Sequence, residues 1–199
     1  MVVKSHKDLI KPLRRDKMYR YKKIQSTFLY LVLAFYIILF FSIIVFKHVS
    51  PLELFDENRI FYRSYNLTPF LTIKSYLMGY ADVSNSVSFN NIFGNIVLFI
   101  PLGIYLQLFK KNKKAVVSFI LVFAISLLVE IVQFSLGIGT ADIDDVLLNC
   151  LGGIIGILAY KLLAAFIKDN IKIRAIIAIC SSIIGIPLLI IFVLLLVNN

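Results

Sequence analysis

The stretch Glu130–Gly156, EIVQFSLGIGTADIDDVLLNCLGGIIG, decides the fold. One apolar run ends inside it and another begins, with a short glycine-containing turn at 137–142 between them. Glu130 and Gln133 lie near the end of the first run. Asp142, Asp144 and Asp145 open the second, with Asn149 inside it. A carboxylate at the centre of a membrane helix costs about 2.5–3.5 kcal/mol on insertion scales, so acids placed this way mark a functional site.

The rest of the chain agrees that the solvent is lipid. Hydrophobic residues make up 60% of the 199, and mean hydropathy is +0.90. Soluble globular domains are about half apolar at most, so the composition excludes them. With no Trp, the ten Tyr must supply the interfacial belts. Cys150 and Cys180 fall in opposite leaflets on the topology below, and a disulfide needs Cα atoms within about 7 Å, so none is expected. His6 and His48 stand alone, without the spacing of a zinc site.

Outward from the central stretch, the apolar runs fall into order. Residues 1–25 form a basic arm with nine Lys/Arg and two Asp, and 26–46 form a first span. That run is too long for a cleaved signal and lacks a small-residue cleavage site, so it reads as a retained signal anchor. The arm reads as the cytoplasmic flank of a membrane helix resting on anionic lipid, with no nucleic acid expected as a partner. Residues 47–89 are a polar connection with four Lys/Arg and four acids. Within it Phe70, Ile73, Leu77 and Tyr80 recur at helical spacing, which predicts a short amphipathic helix at the membrane surface, with Thr68 as cap and Pro69 in the first turn. Spans two to five follow at 91–109, 115–136, 143–167 and 175–197; Pro187 interrupts the last. Lys and Arg collect before span one, at Lys110–Lys114 and at Lys168–Arg174, whereas the turn 137–142 has none. The positive-inside rule then gives an all-α bundle of five transmembrane helices, N-terminus in and C-terminus out.

This topology brings the intramembrane polar residues to one side. Asn91 and Asn95 on span two, Glu130 and Gln133 on span three, and Asp142, Asp145 and Asn149 on span four all fall roughly 6–10 Å or less below the outer interface. Asp142, Asp145, Asn149, Gly152 and Gly156 form one helical stripe, as do Ser126, Glu130 and Gln133. Asp144 points to another face, toward the external loop. Gly94, Gly152 and Gly156 read as helix-packing residues. Each polar group also has a plainer role. Asp142 suits an N-cap, and Asn95 and Asn149 suit hydrogen bonds between helices. Glu130 requires a partner or a proton, and Arg59 and Arg63 are the candidate counter-charges from the external loop. A divalent cation on Asp142, Asp145 and Glu130 matches no established spacing, so no metal or cofactor is expected.

At these residues the chain resembles the VanZ-like family of bacterial membrane proteins. The matching segments are RSYNLTPFLTI (Arg63–Ile73), NNIFGNIVLFIPLG (Asn90–Gly103), VEIVQ (Val129–Gln133) and DIDDVLLNCLGG (Asp142–Gly153), within a domain of about residues 60–167. Many relatives place an Arg just before the first Asp of the last block, where Gly139, Thr140 and Ala141 stand here. The family positions carried over are Asn66, Pro69, Asn91, Gly94, Asn95, Pro101, Glu130, Gln133, Asp142, Asp144, Asp145 and Asn149. The resemblance implies a multi-pass protein of the bacterial plasma membrane that reduces susceptibility to teicoplanin and related lipoglycopeptides. The expected partner is a membrane lipid or lipid-linked cell-wall precursor, held by its head group in a polar outer-leaflet site. The alternative is an enzyme in which protonated Glu130 and ionised Asp145 work on a lipid or glycolipid as catalytic acid and base. A proton-coupled transporter fits less well, because the inner halves of the spans read as almost wholly apolar.

Overall fold

The computed structural model describes residues 6–45, 56, 59, 61–80, 85–110 and 114–197. In chain order the elements are α1 (His6–Val45), β1 (Tyr62–Asn66), α2 (Leu71–Leu77), α3 (Asn85–Phe109), α4 (Ala115–Leu136), β2 (Ile138–Asp142), α5 (Ile143–Phe166) and α6 (Asn170–Val197). Among the described residues, five helices are long and apolar enough to cross a membrane, over Asp16–Ile43, Ser86–Phe109, Ala115–Leu136, Ile143–Phe166 and Asn170–Ile190. The chain is a multi-pass membrane protein.

Several boundaries differ from the sequence reading. The basic arm is not a separate segment, because α1 is helical from His6 onward. Lys and Arg have good helix propensity, so the charged flank continues the helix beyond the apolar run. Helix α3 begins at Asn85, six residues before the apolar run at 91. Helix α6 begins at Asn170, within the supposed basic loop, because the Asp169 carboxylate caps it by accepting the Ile171 N–H at 2.8 Å. Pro187 lies inside α6 and does not end it. Lys47, His48, Glu53, Glu57, Asp82, Lys111 and Lys113 lie outside the described residues.

Two compact units make up the chain, Met1–Ile38 with Phe166–Asn199, and Leu39–Ala165. In the first, the Gln25 side chain donates to the Ile171 carbonyl at 3.0 Å, which ties α1 to α6. The second holds every candidate site residue. Its helices bury polar side chains beside apolar ones and turn large apolar side chains outward. On α4 the buried face is Ser118, Val122, Ser126, Val129, Glu130 and Gln133, while Ile120, Phe123, Leu128 and Ile131 are exposed. Lipid is as apolar as Leu, so burying leucines between helices gains little, and close backbone approach and hydrogen bonds hold such a bundle.

Small residues provide that approach between α3 and α5. A Cβ on Gly152 would collide with the Ile96 carbonyl, and one on Gly156 with the Ile100 carbonyl. One helical turn later Gly103 abuts the Gly153 carbonyl, and Gly153 in turn faces the Val122 side chain of α4. Gly94 behaves otherwise. A Cβ there meets nothing within 4 Å, so the packing role expected for it does not hold.

The connections contain a two-stranded parallel sheet that the sequence reading missed. β1 pairs with β2 from Tyr62 opposite Ile138 to Asn66 opposite Asp142. All of the expected turn at 137–142 except Gly137 is therefore a strand. Gly137 ends α4 at φ 62°, a conformation that glycine adopts without strain, and its N–H returns to the Gln133 and Phe134 carbonyls. Five residues show too few side chains for a period of two to be read, so the pairing is visible only in three dimensions.

Candidate functional site

The site is built where β2 runs into α5. Asp142 is the last residue of β2 and caps α5, its Oδ1 accepting the Asp144 N–H at 2.9 Å. The register sets Asn66 opposite it, and the Asn66 amide donates to the same oxygen at 3.2 Å. Thr72 donates its hydroxyl to Asp142 Oδ2 at 2.5 Å. The Asp142 N–H donates to Glu130 Oε2 at 2.9 Å. Glu130 thus meets a backbone amide at the head of α5 and is 6% exposed, so it does not face lipid tails.

Asp144 is fully buried and faces the loop, as its position on the helix implies. Its carboxylate accepts the backbone N–H groups of Phe70 at 2.5 Å, Thr72 at 2.8 Å and Ile73 at 3.0 Å. These are the orphan donors at the start of α2, which a side chain of α2 itself would ordinarily cap. Thr68 does not fill that role. Its N–H is engaged with Asn66 Oδ1 at 3.1 Å, and Phe70 stands at the N-cap position without a side-chain cap bond. Phe70 adopts φ 64°, unusual for a residue with a Cβ and costing about 1–3 kcal/mol. The bond from its N–H to Asp144 offsets that cost. A carboxylate 74 residues distant in sequence therefore caps the short helix and fixes it over the head of α5.

Helix α2 closes one side of the site. Tyr76 accepts a hydrogen bond from the Asn91 amide at 3.2 Å. Its phenol is pushed above the ordinary value near 10, first by burial and then by the negative charges of Asp145 and Asp142. Asn91, Asp145 and Tyr76 are thus neighbours. Leu71, Leu77 and Met78 point outward, each more than half exposed.

One turn deeper, Asn149 donates its amide to Ser126 Oγ at 3.0 Å, joining α5 to α4. Asn149 is 3% exposed, and its Oδ1 is buried with no hydrogen-bond partner. The Asn95 Nδ2 on α3 is likewise buried and unpartnered. Asn95 precedes Ile96, which touches Gly152, three residues after Asn149, so the two amides lie within about one helical turn in depth. Gln133 is buried on the same face of α4 as Glu130.

Arg59 and Arg63 do something else than the expected service to Glu130. Arg63 donates to the Ser135 carbonyl at 3.1 Å, and Arg59 to the Leu136 carbonyl. Both cap the C-terminal end of α4, where carbonyls lack intrahelical partners and the helix dipole favours cations. Thr72 and Tyr76 went unremarked as site residues, because a Thr and a Tyr on a short surface helix carry no distinguishing pattern. So did the buried pair on the opposite side of the bundle, where Gln107 donates to Ser118 Oγ at 2.9 Å. Among the described residues, no group of three or more His, Cys, Asp or Glu is arranged to hold a metal ion.

The family profile described as VanZ/LLP1 matches residues 28–164, which include every element of the site. The chain belongs to the VanZ/LLP1 family. Protein VanZ of Enterococcus faecium is 32% identical over 132 residues, 66% of this chain and 72% of that protein. No solved structure matches. This VanZ/LLP1 chain thus keeps its acidic and amide side chains within the matched segment.

Proposed function

We propose that the protein lies in the bacterial plasma membrane, N-terminus in and C-terminus out, and reduces susceptibility to teicoplanin and related lipoglycopeptides by binding a lipid or cell-wall-precursor head group in the outer leaflet. Membership of the VanZ/LLP1 family supports the link to resistance. One observation supports the binding site. Asn149 Oδ1 and Asn95 Nδ2 are buried, at similar depth, with hydrogen-bonding capacity unspent, directly below the head of α5. A buried polar group left without a partner costs about 1–3 kcal/mol, which a ligand carrying both donors and acceptors recovers. The outward apolar side chains of α2 suit a seat in the head-group region, where the helix covers the site.

Teicoplanin susceptibility of a host expressing the wild type, Glu130→Gln, Asp145→Asn or Asn149→Leu tests the reading, with membrane levels matched. Protection by the wild type, lost in the variants, is the expected result. Equal susceptibility in all four strains removes the site from the function. Lipid extracts of the same cells separate binding from chemistry, since an altered lipid species that disappears with Asp145→Asn would favour the acid/base alternative.

A further inference from the structure

We propose that Arg59 and Arg63 form an anion site at the C-terminal end of α4 that takes a phosphate group, with a lipid head group as its source. Both guanidiniums flank one aromatic ring, Arg59 at 4.5 Å and Arg63 at 5.6 Å from the centroid of Phe61. Phe61 is held in turn against Gly137, where a Cβ would meet the ring at 2.8 Å. Ring, glycine and the two carbonyls at the end of α4 thus fix both cations in place. Two like charges beside one ring repel each other, and an anion that contacts both offsets that repulsion.

Capping the helix leaves most of Arg59 unused. A guanidinium has five N–H donors in a planar fork, and the Leu136 carbonyl takes one on Nη2. Arg59 Nε and Nη1 are buried and have no hydrogen-bond partner. Each of these nitrogens forms one edge of the fork with Nη2, so the edge turned away from Leu136 keeps two parallel donors. That pair matches two oxygens of a phosphate, and a lysine could not supply it. Three carboxylates of the site are engaged elsewhere. Both oxygens of Asp142 and of Asp144, and Oε2 of Glu130, accept other hydrogen bonds. Arg63 is exposed and open to an incoming ligand. Phe61, Tyr65 and Leu67 beside it are each more than 60% exposed, an apolar margin that suits acyl chains better than a free ion.

The site deepens the head-group reading above and rests on it for the lipid source. Its test is a titration of the full chain in neutral detergent micelles with dihexanoyl phosphatidic acid, with dihexanoylglycerol and inorganic phosphate as separate probes. Saturable binding of the phosphatidic acid is expected, weakened about tenfold or more in Arg59→Gln, Arg59→Lys and Arg63→Gln. Thermal unfolding of each variant checks the fold. Where Arg59→Gln does not fold, Arg59→Lys and Arg63→Gln decide the matter, because Lys keeps the charge at the helix end and loses only the fork. Competition by inorganic phosphate at similar concentration supports the anion site and moves its source to a free phosphoanion. Phosphatidic acid bound equally by wild type and all folded variants overturns the site and leaves the head-group reading standing. No binding of either phosphate probe by the wild type overturns the site, and added failure of the wild type to alter teicoplanin susceptibility overturns the reading beneath it.

Discussion

The two ends of β2 carry charged side chains in opposite states of use. At the end leading into α5, all four carboxylate oxygens of Asp142 and Asp144 accept hydrogen bonds, from the Asn66 amide, the Thr72 hydroxyl and four backbone N–H groups. At the end leading out of α4, Arg59 and Arg63 each satisfy a helix carbonyl, and Arg59 keeps buried donors without partners. A charged residue whose hydrogen bonds are exhausted holds the fold. One with capacity left over is equipped to hold something else. In the sequence the two cases look alike, each a charged residue flanking an apolar run.

The largest effect is expected at the exhausted end. Asp144→Ala leaves three part-buried N–H groups without an acceptor and should cost about 2–4 kcal/mol, seen as a lower unfolding temperature in detergent and faster proteolysis at Leu71–Leu77. Arg63→Gln is expected to stay within about 1 kcal/mol of wild type, as an exposed cation at a helix end. Equal losses from the two would erase the contrast between them.

Next is the bundle beneath. Gly156→Leu forces α5 away from the Ile100 carbonyl at a cost of about 1–3 kcal/mol, whereas Gly94→Leu, with open space around it, is close to neutral in the same melt. Asn149→Leu is expected to cost about 0.6 kcal/mol and no more than about 1.7 kcal/mol, because interhelical hydrogen bonds in membranes contribute little and the Asn149 carbonyl is unpartnered already. Loss of protection against teicoplanin with so small a change in stability would place Asn149 with the arginines, as a residue whose capacity serves a ligand.

The smallest effect is at Tyr76. Its phenol is raised above 10, so the folded state binds the proton more tightly than the unfolded one. The stability this contributes is complete below pH 10 and is lost as pH climbs through the folded value. Tyr76→Phe should melt like wild type at neutral pH and lose less stability than wild type above pH 10, which thermal scans across that range would show. A wild-type curve with no alkaline fall beyond that of Tyr76→Phe would mean that neither burial nor the charge of Asp145 raises the phenol.

Much of the site was legible because polar groups are costly in lipid. Glu130, Asp142, Asp144 and Asn149 announced themselves by standing in apolar surroundings, and helical periodicity separated the face of Asp144 from the stripe of Asp142 and Asn149. Partners that stand outside the spans had no such contrast. Thr72, Tyr76 and the N–H groups of α2 are ordinary features of a polar loop until Asp144 reaches them. The arginines show the converse. Sequence could pair them with a buried acid by charge alone, whereas their place was settled by Phe61, Gly137 and the end of α4.

Hydropathy and periodicity, which are properties of short stretches, determined on their own that the chain crosses a membrane by apolar helices and that its acids and amides gather around the start of α5. The parallel pairing of β1 with β2, the capping of α2 by Asp144, and the division between engaged carboxylates and partly engaged guanidiniums were decided only in three dimensions. Each depends on backbone groups meeting partners about 70 or more residues away, backbone in the sheet and side chains at the two helix ends. Backbone N–H and C=O groups are the same at every residue, so the sequence carries no mark of which of them a distant side chain will find.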